Sequence, residues 1–162
     1  DVITLGMASG LGNNCAFEVN GTCYTAPFTP TPMTLAECEA AVAEGKLGIT
    51  GCYWDDDYWA GAVKQCGGVS KMPTMAQLGE LASQLYVGNP TIGAKENKEN
   101  IQFDSNSSTA KALGLTPYFL LWSGKEGSFG YAYGRGFYTT VSYWGNGYDR
   151  NDRDGQAVCL GD

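Results

Sequence analysis

The chain has 162 residues, 43% of them apolar and 17% charged, with 23 glycines, which fits one globular domain and excludes a disordered chain. Its net charge of −7 repels phosphate backbones, so nucleic-acid binding is not expected, and no stretch approaches the roughly 20 apolar residues of a membrane span. Histidine is absent, which excludes Ser-His-Asp and Cys-His catalysis and any zinc site that needs imidazole.

Residues 1–33 are rich in glycine, proline and threonine, with Pro27, Pro30 and Pro32 close together, and read as irregular or strand-like. The opening Asp1-Val2-Ile3-Thr4 carries no leader, which reads either as an export segment processed off or as a trimmed chain. Thr34-Leu35-Ala36-Glu37 is a capping box ahead of an Ala-rich run to Glu44, with Gly45 as its stop, and predicts a first helix. Asp55-Asp56-Asp57 before Tyr58–Cys66, with Gly67-Gly68 after it, matches the dipole and C-cap rules and predicts a second. Thr74-Met75-Ala76-Gln77 repeats the capping pattern, and Met75, Leu78, Leu81, Ala82 and Leu85 form an apolar stripe to Tyr86. That predicts a third helix. After Gly88 the chain turns polar, with a short helix expected near Thr109–Leu113. Tyr118–Trp122, Phe137–Val141 and Ala157–Leu160 then read as strands. Trp54, Trp59 and Trp122 are expected in the core and Trp144 at the surface.

The six cysteines contain no C-x-x-C pair and read as disulfides formed outside the reducing cytosol. Six cysteines admit 15 connectivities, among which the count alone does not choose. Local geometry favours Cys15–Cys23, around a turn with Asn20-Gly21, and Cys38–Cys52, closing the first helix onto the segment after it. Cys66–Cys159 is left as the long closure.

Beyond Trp122 the composition shifts. Five of the ten tyrosines lie between 131 and 148, all three arginines lie beyond 134, and no lysine occurs after Lys125. Tyrosine with Ser, Gly, Asn and Asp, anchored by Arg and Trp, is the palette of a binding paratope. Rigid aromatics supply contact area at low entropy cost there, and small polar side chains adapt their hydrogen bonds. A loop-rich β region would have a similar palette, and composition does not separate the two.

The stretch Tyr58–Gly68, then Lys71-Met72-Pro73-Thr74-Met75-Ala76-Gln77-Leu78-Gly79-Glu80-Leu81, resembles a signature of domains related to formylglycine-generating enzymes and bacterial C-type-lectin-like proteins. So do Leu121-Trp122-Ser123-Gly124-Lys125-Glu126 and Gln156-Ala157-Val158-Cys159-Leu160 near the end. The resemblance covers roughly residues 55–162 and implies a bridge from the helix cysteine to the closing strand, Cys66–Cys159. Tyr143–Gly155 is similar to the variable stretch of one branch, the variable proteins of diversity-generating retroelements, which display such residues on a rigid C-type-lectin scaffold. The layout also resembles C-terminal domains of pilin-type surface proteins.

The fold expected is therefore α+β and C-type-lectin-like. Two or three helices pack on a small, mostly antiparallel sheet stapled by disulfides, as one domain over 1–162. Residues 1–54 form an irregular or pilin-like N-terminal part, and 55–162 a lectin-like core displaying 128–154. The function expected is a diversified, surface-displayed receptor or adhesin for a protein or glycan. Its ligand contacts come from Tyr131, Tyr133, Arg135, Tyr138, Tyr143, Trp144, Asn146, Tyr148, Asp149, Arg150, Asn151, Asp152 and Arg153. A structural pilin subunit assembling into a filament, or a calcium-dependent lectin, are the alternatives. No cofactor or metal is expected, and membrane attachment only through an upstream segment. Asp149-Arg150-Asn151-Asp152-Arg153-Asp154-Gly155 puts Arg153 where an EF-hand loop wants Asp or Asn. Catalysis is not expected either: the oxidases of the family need a reactive cysteine pair near the domain's end, where only Cys159 stands.

Overall fold

The computed structural model describes residues 3–5, 15–96, 101–138 and 146–161, with Ile3–Leu5 and Asn146 through the backbone alone. In chain order it contains β1 (Ile3–Leu5), β2 (Phe17–Val19), β3 (Thr22–Tyr24), α1 (Leu35–Glu44), α2 (Tyr58–Cys66), α3 (Met75–Ser83), α4 (Ser108–Ala112), β4 (Phe119–Glu126), β5 (Tyr131–Phe137), β6 (Asn146–Asp149) and β7 (Gly155–Gln156). The fold is α+β. β1–β2–β3 form one antiparallel sheet; the second runs β6–β5–β4–β7, antiparallel except for the parallel β4–β7 pair. No helix of the described residues is long and apolar enough to cross a membrane.

The helix starts arise from local chemistry. Thr34 with Glu37 and Thr74 with Gln77 form reciprocal capping boxes, and the Asp57 carboxylate accepts from the Ala60 amide. Each satisfies amides that have no partner inside the helix. Gly45 (φ 74°) and Gly67 (φ 99°) close α1 and α2 in the left-handed region. α3 stops at Ser83, earlier than its apolar stripe predicts. Leu85 and Tyr86 are still buried, but the Tyr86 segment is drawn into a bridge with Phe103, which ends the helix by tertiary pairing.

Three disulfides, Cys15–Cys23, Cys38–Cys52 and Cys66–Cys159, close all six cysteines. The first staples the β2–β3 hairpin, whose turn places Asn20 and Gly21 at φ 50° and 88°, the left-handed pair of a type I′ turn. A chain so stapled matures in an oxidising, extracytosolic environment.

Two apolar clusters flank the second sheet. One joins α3 to β2, β3 and a stack in which Phe119 and Phe137 lie 4.7 Å apart. The other sets α2 with Trp59 and Val63 against Leu120, Trp122 and Ala132, and the Trp59 indole donates to the Ser123 carbonyl at 2.8 Å. Trp59 and Trp122 are wholly buried, as expected, whereas Trp54 is half-buried and donates to the Gly130 carbonyl. Trp144 lies outside the described residues.

The strands depart from expectation in three places. β4 runs on to Glu126. The expected strand 137–141 has only Phe137 inside β5, with 139–141 outside the described residues. The expected closing strand 157–160 is reduced to single bridges, Phe28–Ala157 and Tyr24–Leu160. Those bridges pair the end of the chain with Tyr24 and the segment just beyond β3.

Candidate functional site

The second sheet builds the site from its β5–β6 edge. Tyr131 pairs with Asp149, Ala132 with Tyr148 and Tyr133 with Gly147. The strand period of two therefore puts Tyr131 and Tyr133 on the face opposite the buried Ala132. After β6 the chain turns: the Asp152 amide donates to the Asp149 carbonyl at 3.0 Å, and the Asp154 amide to the Asp152 carboxylate at 2.9 Å. Strand edge and turn enclose an open depression of about 690 Å³ lined by Tyr131, Tyr133, Gly147, Tyr148, Asp149, Asn151 and Asp152. Six of these seven are residues singled out from the sequence. Tyr131 and Asp149 are exposed, and Tyr133, Asn151 and Asp152 half-buried. Tyr148, expected as a ligand contact, pairs with Ala132 and so turns its ring to the buried face, edge-on to Trp122 at 6.5 Å.

Partial burial raises the Asp152 carboxyl above its ordinary range. The Asp154 amide opposes this, and the charges of Asp154 and Asp149 add to it. A carboxyl raised in the fold contributes stability that is full below the unfolded value, about 3.9, and lost as pH rises through the folded one. Asp152→Asn is therefore expected to match the wild type in acid and to melt slightly higher at neutral pH. Paired melting curves across that window check the sign.

The remaining candidates are elsewhere. Tyr138 is half-buried with its ring 5.7 Å from that of Tyr118, and burial pushes its hydroxyl pKa up. Arg153 is exposed on the turn. Tyr143 and Trp144 lie outside the described residues, and Asn146 is described by its backbone only.

Two candidates are corrected outright. Arg135 and Arg150 are 0% exposed and cannot present their guanidinium groups to a ligand. Arg135, on the same face of β5 as Tyr131 and Tyr133, is covered by the start of α3 and donates to the carbonyls of Lys95, Met75 (2.7 Å) and Gly93 (2.9 Å); burial pulls its pKa down to about 10. It ties the loop before residue 96 to the start of α3.

Arg150 is the centre of a buried ion cluster. Its guanidinium reaches Asp57 at 2.6 Å, Glu126 at 3.2 Å and the Gly51 carbonyl at 3.0 Å, and lies 4.6 Å from the Trp59 ring centre. Glu126 in turn accepts from the amides of Thr50 (2.9 Å) and Gly51 (3.1 Å). Burial raises the Asp57 carboxyl, against the pull of the Arg150 charge. The Arg150 carbonyl also accepts the Tyr58 amide at 2.8 Å, so one residue serves the N-terminus of α2 with both backbone and side chain. The cluster fixes the turn that carries Asn151 and Asp152.

The sequence reading missed Phe129, at the β4–β5 turn and 83% exposed, and Tyr53, 50% exposed. An aromatic set between Gly127-Ser128 and Gly130 in a turn was the available signal. Among the described residues, no group of three or more acidic or cysteine side chains is placed to hold a metal ion. No family model, curated protein or solved structure matches the chain. Fold and site define an α+β, disulfide-stapled domain with an open face of tyrosines and carboxylates.

Proposed function

We propose that this chain is a surface-displayed ligand-binding domain of C-type-lectin-like fold, a receptor or adhesin diversified by a retroelement. The observation that carries the reading is the convergence of Tyr131, Tyr133, Asp149, Asn151 and Asp152 on one open depression. Tyrosines with small polar side chains on a rigid edge are suited to recognition. They offer wide contact area, and the frame beneath them is held by disulfides and a buried ion cluster rather than by the contact residues themselves. Export to the cell surface agrees with the three disulfides. A binding role without catalysis agrees with the absence of histidine and with the engagement of Arg135 and Arg150 inside the fold. The partner is a protein or a glycan, with no cofactor.

The test is the variation of this gene among related isolates. Substitutions concentrated in adenine-containing codons at Tyr131, Tyr133, Asp149, Asn151, Asp152 and Arg153, with Asp57, Glu126, Arg135 and Arg150 constant, are expected. Uniformly low variation along the whole chain would overturn diversification.

A further inference from the structure

The hairpin that carries Tyr131 turns on an aromatic residue the fold does not use. Phe129 is 83% exposed, and its backbone sits in the left-handed region at φ 55°, where a Cβ is unfavourable and a phenyl ring offers no local hydrogen bond to offset it. The other non-glycine residues at positive φ, among those described, are Asn20 and Asn89, a type that tolerates the conformation. Glycine would suit position 129 better and would remove an exposed ring. An outlier of this kind at a surface points to a use outside the chain.

The feature continues on both sides. The Trp54 indole donates to the Gly130 carbonyl at 2.8 Å, and a Cβ on Gly130 would stand 3.1 Å from that of Tyr53. Tyr53 is 50% and Tyr131 48% exposed. Two residues of chain, at most about 7 Å, separate Phe129 from Tyr131 and so from the depression. Phe129 and Tyr131 thus form an aromatic lip beside an acidic floor, whereas the Tyr53 ring lies back over Gly51, 5.8 Å from the Arg150 guanidinium. Among the described residues no ion pair reaches Asp149, Asp152 or Asp154. Arg150 is engaged in the core, and Lys125 is held by Glu96 at 2.5 Å. Lys125 also lies 4.7 Å over the Tyr133 ring centre, so this ring already receives a cation at its edge of the site.

We infer that the lip and depression bind a protein partner presenting an arginine or lysine side chain beside an apolar one. The cation enters among the tyrosine rings and the carboxylates of Asp149 and Asp152, and the apolar side chain covers Phe129. A neutral sugar would stack on the rings but leave the carboxylates without a counter-charge, and the chain's charge of −7 steers a basic partner toward it. The inference rests on the binding-face reading above and adds the partner's chemistry.

The test is selection of a random dodecapeptide library on the immobilised domain. Winning peptides are then measured against Phe129→Gly, Asp149→Asn/Asp152→Asn and Tyr131→Ala/Tyr133→Ala. Winners are expected to carry Arg or Lys near an apolar residue, to weaken roughly tenfold or more on each variant, and to weaken as salt is raised. Phe129→Gly should melt at or above the wild type, which separates lost binding from lost fold. Winners without basic residues that fail only on Tyr131→Ala/Tyr133→Ala would overturn the basic partner and leave the face a binding site. No winners, or winners indifferent to all three variants, would overturn both.

Discussion

Arg150→Ala is expected to destabilise the domain by about 3–5 kcal/mol, the usual effect of removing one partner from a buried ion pair. The substitution leaves Asp57, 0% exposed, without the guanidinium 2.6 Å away. It also removes the donor to the Gly51 carbonyl and one partner of Glu126. For a chain of this length that corresponds to a fall in Tm of about 10 °C or more. Lysine is not a substitute. Arg150 reaches Asp57 through Nε and Nη2, Glu126 through Nη1 and Gly51 through Nη2, and one ammonium cannot span that fork. Arg153→Ala, three residues on and exposed, is expected to stay within about 0.5 kcal/mol. Thermal and urea denaturation of the pair give the contrast directly. Equal, small effects would place Arg150 on the surface, where its neighbours in sequence suggest it belongs.

That contrast marks where the sequence was legible. α1, α2 and the start of α3 could be read because their signals are local: Thr34 and Glu37, or Thr74 and Gln77, stand three residues apart, and Gly45 and Gly67 stand at the ends they close. The disulfide loops of the N-terminal half are nearly as local. Arg150 could not be read, because its partners Asp57 and Glu126 lie 93 and 24 residues away, and a charge amid Asn, Asp and Gly carries no mark of which way it points. Arg135 was obscured in the same way, with acceptors 40 to 60 residues distant. β5 was not expected, because Gly134 and Gly136 interrupt the strand pattern. In the sheet Gly134 lies against β4 so closely that a Cβ would stand 2.5 Å from the Leu121 carbonyl oxygen. Only glycine fits there, for a reason that belongs to the neighbouring strand. The site itself was half legible. Composition picked out the tyrosines and carboxylates of the depression, whereas the lip depends on a loop 76 residues from Gly130.

Cys66→Ser/Cys159→Ser is expected to produce a loss comparable to that of Arg150→Ala, and by a different route. The bridge closes a loop of 93 residues, for which chain entropy gives about 4.6 kcal/mol, against about 3 for Cys38–Cys52 across 14 and about 2.5 for Cys15–Cys23 across 8. Position sharpens the difference. Around the bridge, Cys159 is linked to Thr25 at 2.9 Å in both directions, Leu160 to the Lys71 carbonyl and Gly161 to the Cys23 carbonyl, each at 2.8 Å, with Ala157 paired to Phe28 just upstream. With the bridge cut, these hydrogen bonds lose the covalent tie to α2 beside them. The turn bearing Asn151 and Asp152 then keeps Arg150 as its inner anchor and the β4–β7 pair as its downstream one, so the loss falls on residues 159–161. Chemical denaturation of three bridge-deleted variants should rank them 66–159, 38–52, 15–23 in descending loss. Hydrogen exchange should show the 66–159 variant opening first at the amides of Cys159, Leu160 and Gly161. A 66–159 variant no weaker than the 15–23 one would mean that the sheet, and not the staple, holds the frame beneath the tyrosine face.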